Sequence, residues 1–294
     1  MEREFMGETT NGSSEDTVPL FGDLGRIVVV VPTYNEKENV ARITARILQA
    51  VPETDILVAD DNSPDGTGDI ADQLADDDSR IHVMHRMEKA GLGAAYLAGF
   101  DWALDNSYDV IVEMDADGSH RPEDLPRLLT RLRTADLVLG SRWVDGGEVV
   151  NWPMSREVLS RGGNLYTRWA LQVPMKDATG GFRAFRADTL RALNLDSIES
   201  QGYVFQVDLA TRVHRLGLDV AEVPISFEER EFGTSKMSQK IVAEALWRVT
   251  VWGYQARVSK LRAARRRARD RKARKLPPGP SSPAESFQNQ NQQD

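Results

Sequence analysis

The sequence predicts an α/β fold with one mainly parallel sheet flanked by helices. Short apolar runs alternate with stretches of helical periodicity, and successive runs lie about 30 residues apart, the spacing of strand–helix–strand units. Most of these runs end directly at polar or acidic turns, as strands do where a parallel sheet presents its carboxyl ends to a ligand. The chain has 294 residues, of which 40% are hydrophobic and 28% charged. That composition is ordinary for a globular protein with a sizeable core.

The first strand and helix follow a polar N-terminal segment. Residues 1–24 are acidic and rich in Gly, Ser and Thr, and we expect them to be disordered, with order beginning at Arg26. Residues 27–31 are five consecutive apolar residues that end at Pro32, the pattern of a strand buried on both faces. Asn35, with an acid three positions on, predicts the N-cap of the first helix. The apolar positions of that helix have helical spacing (Val40, Ile43, Ile47 and Leu48).

The alternation continues along the chain. It predicts strands at 55–59, 81–84, 109–114 and 137–140, and helices at 67–75, 91–104 and 123–133. A further helix is expected at 156–173, a late strand at 219–227, and one long helix from 240 to about 274. The predicted organisation has four parts: a disordered segment (1–24), a folded domain that holds the site (25–238), an amphipathic and basic helix (239–275) and a disordered tail (276–294).

Cysteine and histidine usage excludes several kinds of site. The chain has no cysteine, which excludes disulfides, thiol nucleophiles and cysteine-ligated zinc. Its four histidines lack the close pairing of a histidine-built zinc site. The N-terminus has no apolar leader, and no run approaches the roughly 18 apolar residues of a membrane span. We therefore expect a soluble or peripheral protein of the cytoplasm.

Charge is segregated along the chain. The whole chain carries −8, but residues 257–275 contain eleven Lys and Arg against one acid, a local charge of +10 that leaves −18 on the remainder. A basic segment on an acidic body favours attachment to an anionic surface over general nucleic-acid binding. The apolar half of the same helix, 241–252, fits either a membrane interface or packing against the protein core.

The strongest chemical motif is Asp115-Ala116-Asp117, directly after an apolar strand. Two carboxylates one residue apart at a strand end can both reach one hard cation, and Mg²⁺ or Mn²⁺ prefers such oxygen ligands. A divalent ion here would bridge a diphosphate and neutralise its charge as it leaves. The competing interpretation is a pair of solvated acids in a turn, and the buried strand before the motif favours the metal site.

A second acidic turn begins at Asp60. Its Pro-Asp-Gly segment is turn chemistry, but Asp60 and Asp61 are candidates to accept hydrogen bonds from a nucleobase or ribose. Gly91 and Gly93 do not complete a dinucleotide fingerprint, because Tyr96 stands where the third glycine belongs. The start of a helix explains those glycines better. The sequence also has no phosphate-binding P-loop motif.

Three cationic residues stand near predicted turns: Arg142, Arg230 and Lys236. Arginine binds phosphate through paired hydrogen bonds, and lysine binds it as a point charge. Each of the three taken alone is more often a surface ion-pair partner. The spacing of Arg230 and Lys236 around a Phe-Gly pair favours a mobile loop that closes over an anionic ligand.

Taken in order, these motifs resemble those of one family, the polyprenol (dolichol) phosphate mannose synthases, within the inverting GT-A glycosyltransferases. The earlier motifs are shared by many related transferases, whereas the later ones, in this order, are specific to polyprenyl-phosphate mannosylation. The resemblance covers residues 28 to 251 and is carried by 32–36 (PTYNE), 60–67 (DDNSPDGT), 91–93 (GLG), 114–117 (MDAD), 140–142 (GSR), 160–163 (SRGG), 179–183 (TGGFR), 202–206 (GYVFQ), 222–227 (EVPISF) and 230–236 (REFGTSK).

The resemblance implies a Rossmann-like GT-A fold and assigns roles to individual residues. The guanosine pocket of a GDP-mannose donor would be lined by Pro32, Tyr34, Glu36, Ala59 and Asp61. The diphosphate and a Mg²⁺ or Mn²⁺ ion would be held by Asp115, Ala116 and Asp117. The phosphates and the mannose would be bound by Arg142, Arg230 and Lys236, which with Asp117 form the expected catalytic set. Some relatives have a Gln ligand two residues after the second Asp; here that position is Ser119, so the third metal ligand is either Ser119 or water.

The resemblance also implies the reaction and its setting. Mannose would pass from GDP-mannose to a polyprenyl monophosphate with inversion, at the inner face of the cell membrane, with residues 241–275 on the membrane surface. An integral-membrane partner subunit is a further candidate, because this chain lacks the C-terminal spans of some relatives. The acceptor is already anionic, so cations rather than a strong base are required. The alternatives are glucosyl transfer from UDP-glucose to the same lipid class and a non-catalytic membrane adaptor; nucleic-acid binding is not favoured.

Overall fold

A computed structural model describes residues 19–198, 203–229 and 239–274. Its strands are β1 (Ile27–Thr33), β2 (Asp55–Asp60), β3 (Ile81–His85), β4 (Val110–Glu113), β5 (Leu137–Ser141), β6 (Glu148–Val150), β7 (Arg183–Arg186), β8 (Val220–Pro224) and β9 (Ser226–Glu228). Its α-helices are α1 (Val40–Ala50), α2 (Thr67–Asp77), α3 (Leu92–Asp105), α4 (Leu125–Leu132), α5 (Met154–Leu171), α6 (Ala187–Ala192), α7 (Tyr203–Arg215) and α8 (Gln239–Arg274).

A mainly parallel sheet forms the centre of the molecule, as the sequence predicts. Within the described chain seven strands lie in the order β3-β2-β1-β4-β7-β5-β8. Only β7 runs antiparallel to its two neighbours, β4 and β5, while the other pairs are parallel. A second, small sheet pairs β6 with β9. The carboxyl ends of β1, β2, β4 and β5 therefore meet at one edge, where the polar motifs begin.

The sheet is covered on both faces. In β1, Val29 and Val31 belong to one apolar cluster and Val28 and Val30 to the other. Helices α1 and α4 fill the first cluster, and α3 and α7 fill the second. All four valines are fully buried, which explains why the strand is continuously apolar rather than alternating.

Strand β7 and helix α7 were not predicted from the sequence. The four residues of β7, Arg183 to Arg186, begin and end with arginine, and so lack the apolar run of a central strand. The structure nevertheless buries Arg183 completely and pairs it in register with Glu113 of β4. A buried charge is compatible with this position only because acceptors surround it.

Three predicted boundaries differ from the observed ones. The first helix begins at Val40 rather than beside Asn35, which lies outside it with a φ of +59°. The predicted late strand is two strands, β8 and β9, separated at Ile225. Order begins before Arg26, because Phe21 is buried next to a short 3-10 helix at Gly22–Leu24.

Helix α8 is a single long helix, as predicted, and its first half packs on the protein. Val249 is buried, Trp252 is packed against the core, and the Thr250 hydroxyl lies 2.6 Å from that of Tyr166 on α5. At Gly253 an added Cβ would lie 2.6 Å from the carbonyl oxygen of Ala170, so the two helices approach at van der Waals distance. None of the helices in the described residues is long and apolar enough to cross a membrane.

Candidate active site

The sequence-predicted nucleotide residues meet at the ends of β1 and β2. Pro32 and Ala59 are register partners on these two parallel strands. Beyond β1, the ring of Tyr34 lies beneath the ammonium of Lys89, 3.7 Å from the ring centroid. The backbone N–H of Glu36 donates to the Thr67 hydroxyl at 2.9 Å, which fixes the turn after β1 against the acidic turn after β2.

The two acids of the second turn have different roles. The Asp60 carboxylate accepts hydrogen bonds from the Thr33 hydroxyl (2.8 Å) and from the backbone N–H of Ser63 (2.9 Å), so it shapes the turn. The Asp61 carboxylate forms an ion pair with Arg86. Burial raises the pKa of Asp61, and Arg86 offsets part of that effect. Asp61, not Asp60, therefore remains the candidate for a nucleoside contact.

The Asp115-Ala116-Asp117 motif forms a tight turn after β4. The Tyr96 hydroxyl donates to Asp115 Oδ1 at 2.9 Å, and the backbone N–H of Ser119 donates to Asp117 Oδ1 at 3.0 Å. Burial, with Asp115 nearby, raises the pKa of Tyr96 well above its usual value. Tyr96 therefore stays a neutral donor and holds the first carboxylate in a fixed orientation.

His120 is a site residue that the sequence analysis missed. It is buried, its Nδ1 accepts the backbone N–H of Asp115 at 3.2 Å, and its ring lies 5.4 Å from Phe182 and 5.3 Å from Phe227. Burial lowers the pKa of His120, which keeps Nδ1 available as an acceptor. Its position three residues after Asp117 was the available signal.

The motif fits a divalent ion by the chemistry of its donors. In the described residues no three His, Asp or Glu side chains form a metal-binding group, and the motif itself has two carboxylates, those of Asp115 and Asp117. Mg²⁺ typically takes one or two protein carboxylates and completes its shell with substrate phosphates and water. Gly181 leaves room for such a shell, since a Cβ there would lie 3.4 Å from Asp115 Oδ2.

Arg142 is held in a buried ion pair. Its Nε and one terminal nitrogen donate to the two carboxylate oxygens of Asp177, each at 2.7 Å, and the same terminal nitrogen donates to the Thr179 hydroxyl at 3.0 Å. Burial alone would raise the pKa of Asp177, but Arg142 outweighs it and holds the pKa below its usual value. The sequence analysis predicted Arg142 as a site residue and missed Asp177.

Arg142 lies beside the Asp115-Ala116-Asp117 turn within an aromatic environment. Its guanidinium is 5.2 Å from the ring of Phe227 and 5.5 Å from that of Trp152, and Phe227 also contacts His120. A second arginine that the sequence analysis did not single out, Arg156, lies 4.0 Å over the ring of Trp152. One aromatic layer thus connects the Asp117 turn with two arginines.

A buried charge pair, Arg183 and Glu113, lies at the end of β4, directly before the Asp115-Ala116-Asp117 turn. The Nε of Arg183 lies 3.9 Å from Glu113 Oε2, and its three nitrogens donate to the carbonyl oxygens of Ala178, Gly180 and Gln206 at 2.7–2.8 Å. Burial raises the pKa of Glu113 to about 8, with Arg183 opposing the shift. Burial also lowers the pKa of Arg183 to about 10.

Two predicted residues, Arg230 and Lys236, lie outside the described residues. The structure describes the chain up to Glu229, after β9, and again from residue 239. The backbone N–H of Glu228 donates to the carbonyl oxygen of Ser119 at 3.0 Å, so the segment leading to Arg230 starts next to the Asp117 turn. Their contribution to the site stays a prediction.

Comparison with known proteins identifies the family to which the chain belongs. The model of glycosyl transferase family 2 matches residues 28–193, which include β1, the Asp117 turn, Arg142 and β7. The chain belongs to this family and is a glycosyltransferase.

Two curated relatives place the chain more finely. An undecaprenyl-phosphate mannosyltransferase from Micrococcus luteus is 58% identical over 238 residues, 81% of this chain and 98% of the relative. A polyprenol monophosphomannose synthase from Mycolicibacterium smegmatis is 51% identical over 258 residues, 87% of this chain and 97% of the relative. Within glycosyl transferase family 2, the chain is a member of the polyprenol phosphate mannose synthases.

Solved structures agree on the fold. Glucosyl-3-phosphoglycerate synthase from Mycobacterium tuberculosis, in complex with Mn²⁺, UDP-glucose and phosphoglyceric acid, has a TM-score of 0.58 at 23% identity and covers 78% of this chain and 83% of its own. A mannosyltransferase from Pyrobaculum calidifontis, in complex with GDP-mannose and Mn²⁺, has a TM-score of 0.54 at 18% identity and covers 83% and 67%. At these identities the likeness concerns the fold alone.

Proposed function

We propose that this protein transfers mannose from GDP-mannose to a polyprenyl monophosphate with inversion, giving a polyprenyl β-mannosyl phosphate. The observation that carries the proposal is the convergence, at one edge of the sheet, of the Asp115-Ala116-Asp117 turn with the buried Arg142–Asp177 pair. The names of the two curated relatives support the mannosyl donor and the polyprenyl acceptor.

The donor lies along the ends of β1, β2 and β4 in this proposal. Tyr34 and Asp61 contact the nucleoside, and Pro32 and Ala59 form the floor of its pocket. Asp115 and Asp117 hold a divalent ion, Mg²⁺ or Mn²⁺, with the third protein ligand being Ser119 or replaced by water. When bound, that ion supplies positive charge to the diphosphate as it leaves.

The acceptor needs positioning more than activation. An oxygen of the lipid phosphate forms a bond to the anomeric carbon of mannose while the bond from that carbon to the β-phosphate oxygen of GDP breaks. The acceptor is anionic at neutral pH, so no general base is required. Arg142, oriented by Asp177 and Thr179, lowers the repulsion between the two anions, and Arg230 and Lys236 complete this positive environment.

Donor choice gives the direct test of the proposal. The purified protein would be incubated with a short-chain polyprenyl phosphate and either GDP-[¹⁴C]mannose or UDP-[¹⁴C]glucose, and the label would be followed into the lipid. We expect label from GDP-mannose alone. Label from UDP-glucose would support the glucosyltransferase alternative, and no label from either donor would support the adaptor alternative.

The metal site gives a separate prediction. Asp117→Ala should abolish metal-dependent transfer and leave the circular dichroism spectrum unchanged, because the carboxylate lies in the turn after β4 and not in a core cluster. Asp105→Ala, which removes an exposed acid at the end of α3, is the matched control and should retain activity. Normal turnover by Asp117→Ala would remove this metal site.

Membrane attachment extends the same proposal. The lipid acceptor requires the enzyme to work at a bilayer, and the eleven Lys and Arg of 257–275 suit the anionic lipids of an inner membrane leaflet. We therefore propose a peripheral protein on the cytoplasmic side, held by the basic half of α8. An integral-membrane partner subunit is a second candidate contact for the same helix.

A further inference from the structure

Phe227 lies where the small sheet meets the turn after β4. Its strand, β9, pairs in parallel with β6. Phe227 also forms an isolated antiparallel bridge with His120, and the backbone N–H of Glu228 donates to the carbonyl oxygen of Ser119 at 3.0 Å. The backbone of β9 is therefore fixed against the residues that follow Asp117.

The ring of Phe227 contacts three side chains from three different segments. The guanidinium of Arg142, directly after β5, lies 5.2 Å from the ring centroid. The imidazole of His120, after β4, lies at 5.3 Å in an edge-to-face arrangement with the ring planes 75° apart. The indole of Trp152, between β6 and α5, lies at 5.3 Å with the planes 83° apart. One ring thus connects Arg142 with the turn that holds the two candidate metal ligands.

These contacts have geometries that an aromatic ring favours. The face of the ring carries negative partial charge, which attracts a guanidinium. The ring edge carries positive partial charge, which favours edge-to-face pairs with other rings. An aliphatic side chain of similar size would fill the space but would provide neither attraction. The aromatic character of residue 227 therefore contributes to the arrangement of its neighbours.

Phe227 is not a core residue of the described structure. It is half-buried and belongs to neither of the two apolar clusters. Phe182, which also contacts the ring of His120, is by contrast fully buried in the first cluster. The ring of Phe227 therefore contacts residues of the candidate site, and its loss should affect the site more than the fold.

We propose that Phe227 is a positioning residue, whose ring sets the position of Arg142 relative to the Asp115-Ala116-Asp117 turn. It acts on the turn through His120, because the imidazole Nδ1 accepts the first backbone N–H of the turn at 3.2 Å. The proposal rests on the proposed function, in which the turn and Arg142 act on the two phosphate groups of one reaction. In such a reaction a displacement of about 1 Å can lower the rate about 100-fold.

The kinetics of two variants test the role of the ring. Phe227→Leu keeps an apolar side chain and removes the aromatic ring. Its kcat for transfer from GDP-mannose to a short-chain polyprenyl phosphate should fall about tenfold or more, because Arg142 and the turn are no longer aligned. Phe227→Tyr retains the ring and should keep at least about half of the wild-type kcat.

Direct binding separates positioning from damage to the site. The affinity of each protein for GDP would be measured by isothermal titration calorimetry with Mn²⁺ and without it. The Tyr96 hydroxyl still holds Asp115 in Phe227→Leu, so both affinities should stay within about threefold of the wild-type values. A fall in kcat with unchanged binding is the effect of a group that aligns the reacting parts.

Phe21→Leu is the matched control. The guanidinium of Arg133 lies 5.2 Å from the ring centroid of Phe21, the same distance as Arg142 from Phe227. Phe21 precedes β1, whereas the site follows the carboxyl ends of the strands. Because Phe21 is buried in the core, its variant should unfold at a lower temperature. Its kcat and its affinity for GDP should be those of the wild type.

Two results would overturn the proposal. One is a wild-type kcat in Phe227→Leu. The other is a loss of kcat that Phe227→Tyr shares, or that an equal loss of GDP affinity accompanies, because the aromatic ring would then not align the site. The wild-type protein distinguishes this outcome from failure of the proposed function. Absence of mannosyl transfer by the wild type would count against the function, whereas the ratio of variant to wild-type kcat concerns Phe227 alone.

Discussion

At the scale of single residues, the site depends on charges that are buried in pairs. Arg142 and Asp177 are both almost inaccessible, and their two short hydrogen bonds fix the guanidinium plane. Desolvating two charges is costly, and a bidentate geometry offsets that cost only while both partners are present. The pair therefore supports a fixed orientation of Arg142 more than the stability of the fold.

Asp177→Asn should destabilise the protein and reduce transfer. The change leaves Arg142 buried without its counter-charge, and removing one partner of such a pair costs about 3–5 kcal/mol. The free energy of unfolding would be measured in urea, and kcat at saturating donor. Asp188→Asn, which breaks an exposed pair with Arg191, is the control and should leave both quantities almost unchanged. Equal stability of the two variants would contradict the role given to the buried pair.

The raised pKa of Glu113 leads us to expect that the stability of the protein depends on pH. The ordinary pKa of Glu113 is 4.5, and burial raises it to about 8 in the native protein. Between these values the native state retains a proton that the unfolded chain has released, so stability decreases as pH rises through this window. Above about pH 8 the native state contains a buried carboxylate, which is costly even with Arg183 Nε 3.9 Å from one of its oxygens.

Glu113→Gln should remove this pH dependence. The amide has the same shape and no charge to titrate, so its stability relative to the wild type should increase from about pH 6 to about pH 9. Urea unfolding at a series of pH values, in EDTA so that no divalent ion adds its charge, measures the difference. Curves that stay parallel across this range would show that Glu113 is ionised throughout.

The candidate site residues Asp117 and Arg142 could be predicted from the sequence, whereas the residues that hold such side chains in place could not. Asp117 and Arg142 stand directly after apolar runs, and local pattern is sufficient to single them out. Asp177 is 35 residues from Arg142, and its role depends on how the chain returns to the sheet. His120 and Arg183 have ambiguous sequence signals because each is stabilised by tertiary contacts that no local pattern encodes.

At the scale of elements, the strands with continuous apolar character were predicted and the polar ones were not. β4 and β5 are buried along their full length and β1 and β2 at all but one residue each, and all four have a clear apolar signal in the sequence. β7 inserts antiparallel between β4 and β5 with an arginine at each end. Its position depends on pairing with two strands from earlier in the chain, and neither partner can be identified from periodicity alone.

The contact between α5 and α8 gives a prediction at this scale. Gly253→Ala should destabilise the protein by about 1–3 kcal/mol, because the new Cβ would lie 2.6 Å from a backbone oxygen of α5 and force the helices apart. This loss should exceed the gain in helix propensity, which is at most about 1 kcal/mol. Thermal and urea unfolding would measure the net effect.

Gly162→Ala is the matched control, since Gly162 also lies inside a helix but has nothing within 4 Å of an added Cβ. It should be neutral or stabilise by up to about 1 kcal/mol. Equal gains from both alanine variants would show that α5 and α8 do not pack closely at Gly253.

At the scale of the whole molecule, charge and packing divide α8 into two parts. The first part, with Val249, Trp252 and Gly253, is packed on α5 and the core. Of the two interpretations that the sequence leaves open for 241–252, membrane interface or packing on the protein core, the structure shows packing on the core at these residues. Further along α8, the Nζ of Lys260 donates to Oε1 of Gln172, the residue directly after α5, at 2.6 Å. Nine of the eleven Lys and Arg of 257–275 lie beyond Lys260.

Truncation after Lys260 isolates the contribution of this basic segment. It preserves the packed part of α8, so the fold and transfer to a short, water-soluble acceptor should be unchanged. Wild-type binding to phosphatidylglycerol vesicles should weaken as salt screens the charges over a length of about 10 Å at 0.1 M. The truncated protein should bind more weakly at low salt and depend less on salt, because the removed segment holds nine of the eleven Lys and Arg of 257–275, whose attraction salt screens. If the truncated protein retained the full salt dependence of the wild type, the attraction to anionic vesicles would originate in Lys and Arg elsewhere on the protein. It would then not originate in the segment after Lys260.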